Sequence, residues 1–185
     1  MRWILLGPPG SGKGTQAKRL AAAHSANHLS TGDILRAEVA KGSAVGAEAK
    51  KYMERGELVP DDVIIRMIRS RLQEGNGNGK FILDGFPRNR AQAVELDKML
   101  AEIKVPIDRV VLVKVSDDEV KKRLKGRAVE EGRADDTEDV IAHRLDVYRQ
   151  QTEPVVAYYR EKGAVVEVEG EQTIEQVYSD LEKLV

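Results

Sequence analysis

Residues 1–16 read MRWILLGPPGSGKGTQ: a four-residue apolar run from Trp3 to Leu6, a glycine-rich turn, and then residues at helical spacing. A short strand that is apolar on both faces, leading through such a turn into a helix, is the opening of a parallel α/β sheet. Gly7, Gly10, Gly12 and Gly14 permit positive φ angles and let several backbone N–H groups approach one anion. The helix that begins near Lys13 aims its positive dipole end at the same place, Lys13 adds a full charge, and Thr15 adds a hydroxyl. The spacing predicts a phosphate cradle built from Gly10, Ser11, Gly12, Lys13, Gly14 and Thr15, where the bland alternative is a plain strand-to-helix turn. One position departs from the general pattern. Gly14 follows the lysine where Ser or Thr is expected, which leaves a hydroxyl ligand to Mg²⁺ unassigned.

Beyond Thr15 the chain keeps alternating. Apolar runs at Phe81 to Leu83, Val110 to Val113 and Val165 to Val168, the last interrupted by Glu167, have the length of buried strands, and a weaker strand is placed at His28 to Ser30 before a helix start. Gly12 to His24 carries Ala17, Leu20 and Ala21 at helical spacing, and the last helix sets Ile174, Val177, Tyr178, Leu181 and Leu184 on one stripe. Strands alternating with helices predict a parallel sheet covered by helices, with Trp3, Ile64, Ile68, Val110 and Leu112 in its core. Two stretches interrupt the alternation without adding a strand. Ser30 to Val59 holds two helices, Asp33 to Lys41 and Ala44 to Arg55, separated by Gly42 and closed by Gly56 and Pro60; Gly126 to Asp136 is shorter. GNGNG at 75–79 reads as a turn without chemistry.

The chain has 185 residues, enough for one α/β unit with small insertions. Hydrophobic residues at 41% and charged residues at 33% fit a folded, charged-surface protein rather than a disordered or membrane-embedded one. Thirty Lys plus Arg against 31 Asp plus Glu give a net charge of -1, so there is no global attraction to nucleic acid or anionic lipid, and any basic site must be local. With no cysteine, disulfides and thiolate metal sites are excluded. The opening apolar run is too short for a signal peptide and no segment reaches transmembrane length, so the cytoplasm is the simplest compartment.

The run KFILDGFPRNRAQA, residues 80–93, ends a buried strand on Asp84. Such a carboxylate can hold hydrated Mg²⁺ beside a bound polyphosphate, or it can cap the next helix; the company of Lys13 favours the metal. GPPGSGKGTQ (7–16), LSTGDILR (29–36), GFPR (85–88) and GRADD (132–136), in that order, resemble the nucleoside monophosphate kinases, and within them the short-lid adenylate kinases. The similarity covers essentially the whole chain. It implies a P-loop core of five parallel strands with helices on both faces, formed by residues 1–29, 60–125 and 137–185. It also implies a monophosphate-binding insertion at 30–59 and a short lid at 126–136, with no zinc because the cysteines of longer lids are absent.

The implied reaction moves the terminal phosphoryl group of MgATP to AMP and gives two ADP. It brings two polyphosphate anions together, so guanidinium groups must offset their repulsion. The resemblance assigns Arg36 and Arg88 to the monophosphate, Arg123 and Arg127 to ATP, and Arg133 and Arg144 to the phosphates near the transferred group, with Lys13 completing the clamp. For each arginine a solvated helix face is the competing reading. The catalytic set it implies is Lys13, Arg88, Arg123, Arg133 and Arg144. The AMP side adds Gly85, Phe86 and Pro87, the backbone of Glu57, Leu58 and Val59, and two base contacts, Thr31 and Gln92. Asn89 is instead common in uridylate and cytidylate relatives. Gly170 lies either near the ATP adenine or in a plain turn. An ionised phosphate acceptor needs no general base, so His24, His28 and His143 have no assigned chemistry, and no covalent intermediate is expected. Closure of the lid would exclude water and deliver Arg127 and Arg133; Asp135 and Asp136 either orient them or start the following helix. The expected partners are ATP, AMP and ADP, acting on a monomer. A UMP/CMP kinase on the same fold is the alternative, and a catalytically inactive nucleotide-binding module is the rival from another class.

Overall fold

The computed structural model describes residues 1–74, 79–131 and 137–185, with side chains at all of these except 129–131. Strands β1 (Arg2–Leu6), β2 (Asn27–Ser30), β3 (Phe81–Asp84), β4 (Arg109–Lys114) and β5 (Val165–Glu169) form one sheet in the order β2-β3-β1-β4-β5. All four pairings are parallel. Nine α-helices are described: α1 (Lys13–His24), α2 (Thr31–Lys41), α3 (Ala44–Met53), α4 (Asp61–Gln73), α5 (Arg90–Glu102), α6 (Asp117–Glu131), α7 (Glu138–Val147), α8 (Glu153–Glu161) and α9 (Ile174–Glu182).

Two-residue periodicity splits β1 between two cores. Ile4 and Leu6 face a cluster with Leu83, Val110 and the apolar sides of α4, α5 and α8, while Trp3 and Leu5 face Ala17, Leu20, Val177 and Leu181 of α1 and α9. Helices therefore cover both faces of the sheet. Trp3, Ile64, Ile68 and Val110 are buried as expected, and Leu112 is half-buried. The β5 strand, expected to be buried on both faces, is an edge strand, which is why it tolerates Glu167: that carboxylate meets Lys114 at 3.3 Å and Arg160 at 2.6 Å in solvent. No helix among the described residues is long and apolar enough to cross a membrane.

Two expectations need correction. The stretch from Gly126, read as the start of a separate short segment, continues α6 to Glu131, because only Gly126 among KKRLKGRAVEE is a poor helix former and it costs about 1 kcal/mol. The remaining positions of that segment, 132–136, lie outside the described residues. Ile174, placed on the buried stripe of the last helix, is 55% exposed as the first residue of α9, whereas Val177 and Leu181 are buried.

Because every strand runs the same way, the chain leaves the sheet after Leu6, Ser30, Asp84, Lys114 and Glu169 along one edge. In open parallel sheets ligands collect there.

Candidate active site

At the end of β1, Gly10 and Gly12 adopt φ of +80° and +87°, which turns the chain back over the start of α1. No side chain caps that helix, so its first N–H groups face the cleft open to an anion. Gly14, expected to share the positive φ of the turn, lies within α1 instead; what its missing side chain provides is room, since a Cβ would stand 3.2 Å from Asp84 Oδ2. Lys13 Nζ donates to Pro8 O at 3.0 Å. Withdrawal of its ammonium from water lowers its pKa most; Asp84 opposes this and Arg88, Arg144 and Arg127 add to it, leaving the pKa at about 8. Thr15 lies exposed on the cleft wall, whereas Ser11 is buried with its Oγ lacking a hydrogen-bond partner.

Asp84 is 8% exposed at the end of β3. Burial pushes its carboxyl up, but His28, Lys13 and Arg88 outweigh that and hold it below the usual carboxylate range. His28 Nε2 stands 3.7 Å from Asp84 Oδ2, beyond hydrogen-bond reach but near enough to put this histidine beside the site. No cluster of three acidic or histidine side chains that could hold a metal exists among the described residues. A single buried carboxylate facing a phosphate cradle nevertheless suits Mg²⁺, which keeps several waters and takes most of its remaining ligands from phosphates.

The segment after Asp84 is tied down by main-chain bonds. Arg88 Nε and Thr31 Oγ1 both donate to Gly85 O, at 2.7 and 2.8 Å, and Arg88 O accepts from Thr152 Oγ1 at 2.8 Å. Arg88 N donates to Gln92 Oε1 at 2.7 Å. Gln92 Nε2 donates to Asp61 Oδ1 at 2.7 Å. Asn89 caps α5 by accepting from Gln92 N at 2.8 Å and gives its amide to Asp61 at 2.9 Å, so both ends of its side chain are engaged in structure. Phe86 differs from expectation: its ring is fully buried in the core and lines none of the three cavities at this turn. Gly85 has φ +73°, and a Cβ there would stand 2.9 Å from Thr31 Oγ1 and 3.0 Å from Arg88 Nη2. Gly85→Ala is therefore expected to cost about 1–3 kcal/mol in urea denaturation and to weaken monophosphate binding in titration calorimetry; unchanged stability and binding would count against this crowding.

Three cavities meet at this turn. One of about 580 Å³ is lined by Thr31, Arg36, Glu57, Leu58, Val59 and Gln92, together with Gly85, Arg88 and Arg144. A second of about 540 Å³ holds Lys13, Pro87, Tyr148 and Thr152 with the same three residues. The third, a cleft of about 1560 Å³ over the glycine turn, is lined by Lys13, Lys18, Arg36, Arg88, Lys122, Arg123, Arg127 and Arg144 against two carboxylates, Asp33 and Asp84. A chain of net charge -1 thus carries a strongly cationic cleft. Burial pushes the Asp33 carboxyl up, but Arg36 at 2.6 Å and Lys18 at 3.3 Å outweigh that and hold it below the usual carboxylate range. Arg123 donates to Glu119 at 2.8 Å and to Gly170 O at 2.9 Å, which places Gly170 at the cleft's rim, packed against Val113 and Val115. Arg133, Asp135 and Asp136 lie outside the described residues.

Three residues at the site, Asp61, Thr152 and Tyr148, carry no local sequence signal that marks them. Asp61 reads as a helix-start acid after Pro60. Thr152 and Tyr148 lie in a π-helical turn, Tyr148–Thr152, between α7 and α8. Pro154 supplies its cause, since it has no N–H for the carbonyl one turn earlier and the helix widens before it.

The family model described as adenylate kinase matches residues 5–164. An adenylate kinase of Synechococcus sp. (strain RCC307) is 52% identical over 176 residues, covering 95% of this chain and 93% of that protein. One from Parvibaculum lavamentivorans is 51% identical over 185 residues, with 98% and 90% covered. One from Thermobifida fusca is 49% identical over 177 residues, with 96% and 94% covered.

Proposed function

This chain belongs to the adenylate kinase family, and on that premise we propose that it reversibly transfers the terminal phosphoryl group of MgATP to AMP, giving two ADP. The observation that carries this reading is that Gly85, Arg88 and Arg144 line both the cleft over the glycine turn and the cavity holding Thr31 and Gln92. Nucleotides seated one in each would meet phosphate to phosphate at these residues.

In that arrangement the N–H groups at the start of α1 and the Lys13 ammonium hold the outer phosphates of ATP, while Arg123 and Arg127 hold the ATP side of the cleft. Arg36 and Arg88 hold the AMP phosphate, and Arg144, with Arg133 from the proposed lid at 126–136, offsets charge on the moving group. Asp84 would hold Mg²⁺ through water, and the metal when bound neutralises the outer phosphates of ATP. Thr31 and Gln92 face the base of AMP, bordered by Glu57, Leu58 and Val59 of the proposed insertion at 30–59. Thr31 donates its hydroxyl hydrogen bond to Gly85 O and so meets the base as an acceptor, which suits an exocyclic amino group. Both halves of the site come from one chain, which supports action as a monomer; a chain without cysteine fits the cytoplasm where these nucleotides are handled.

A panel of AMP, CMP, UMP and GMP in a coupled ADP assay tests the reading. AMP is expected to be preferred by roughly a hundredfold in kcat/KM. Preference for UMP or CMP would make the chain a pyrimidine kinase, and binding without turnover would make it an inactive nucleotide-binding module.

A further inference from the structure

A primary amide can turn by 180° and exchange its donor with its acceptor, so a glutamine that reads a base edge discriminates only when its orientation is fixed. In Gln92 it is fixed twice. Oε1 accepts from the Arg88 N–H and Nε2 donates to Asp61 Oδ1, both at 2.7 Å. Neither contact survives a flip, because a main-chain N–H can only donate and a carboxylate can only accept. Gln92 is 2% exposed, and the same Asp61 oxygen accepts from Asn89, whose own oxygen caps the Gln92 N–H. One N–H and one lone pair of the Gln92 amide remain unused, in a set order.

We propose that Asp61 is a specificity-determining positioning residue: it locks the Gln92 amide so that it accepts from an exocyclic amino group and donates to the neighbouring ring nitrogen, and so rejects bases with a carbonyl at that place. This rests on the reading that Gln92 faces the base. Adenine presents an amino group beside an unprotonated N1. Hypoxanthine and guanine present a carbonyl beside a protonated N1, and uracil presents the same reversed order at its own edge. Against a locked amide these put donor against donor and acceptor against acceptor, a mismatch that an unrestrained glutamine would relieve by flipping. Cytosine shares adenine's order, so the lock excludes oxo bases rather than pyrimidines.

The test is titration calorimetry of AMP and inosine monophosphate, which differ only in that amino-to-carbonyl exchange, on the full chain and on Asp61→Ala, Asp61→Asn and Gln92→Ala. Asp61→Ala should lower the AMP-to-IMP affinity ratio about tenfold, the remaining Arg88 N–H keeping the loss partial, since a charge-assisted bond is the stronger of the two restraints. Asp61→Asn, whose carbonyl can still accept from Nε2, should restore the ratio to within about threefold of the original. A merely structural role would weaken both nucleotides alike and leave the ratio unchanged, which would overturn the proposal. If Gln92→Ala collapses the ratio and Asp61→Ala does not, the lock alone is wrong. If Gln92→Ala leaves the ratio intact, Gln92 does not read the base and the proposal falls with that reading. Thermal melts confirm that each variant folds, and Asp61→Ser, too short to reach Nε2, replaces Asp61→Ala should that variant not fold.

Discussion

Lys13→Met is expected to lower turnover by about a thousandfold or more while leaving the protein at least as stable as before. The lysine stands beside Arg88, Arg127 and Arg144 with its ammonium withdrawn from water, and its pKa of about 8 records how unfavourable that charge is without nucleotide. Because the folded value lies below the ordinary 10.5, the folded state binds fewer protons than the unfolded one between about pH 8 and 10.5, so stability from this group rises with pH across that window. At pH 7 the charge is present and costs stability, on the order of 1 kcal/mol after allowance for the solvent that reaches a half-buried side chain. Methionine keeps the length of the stem and removes the charge, so the melting temperature without nucleotide should hold or rise by roughly 2–4 °C. Turnover that persists would refute the phosphate role of Lys13, and a marked drop in melting temperature would refute the electrostatic account.

Arg88→Ala is expected to reduce kcat by about a hundredfold or more, with a stability loss of only about 1 kcal/mol. The asymmetry follows from which atoms hold the turn together. The bonds from Arg88 N to Gln92 and from Thr152 to Arg88 O involve main-chain atoms and survive the substitution. The bond from Arg88 Nε to Gly85 O is lost with the side chain. What disappears along with it is a guanidinium on the shared wall of the two nucleotide cavities, a contact that matters most as charge shifts in the transition state. Paired measurements of kcat and urea unfolding check this; comparable losses in both would make Arg88 a structural arginine.

The parts of the fold legible in the sequence are those whose residues carry a local signal. Strands β1, β3 and β4 are central, buried on both faces and therefore continuous apolar runs. At the edges, β2 includes Asn27 and His28 and β5 includes Glu167, and so both gave weaker signals. Continuation of α6 through Arg127 was not legible, because KKRLKGRAVEE reads equally well as a helix or as a charged connection. Within the site, the glycine turn announced itself through spacing. The partners of Gln92 and Arg88 did not, since Asp61 and Thr152 lie 31 and 64 residues from them and no periodicity links groups joined by a single hydrogen bond.

The most direct measurement of the central claim, that one cleft seats two nucleotides with their phosphates facing, supplies ADP and Mg²⁺ alone and follows the phosphorus resonances over time. ATP and AMP should appear in equal amounts with no inorganic phosphate. Release of inorganic phosphate, or no change in ADP at all, would contradict it.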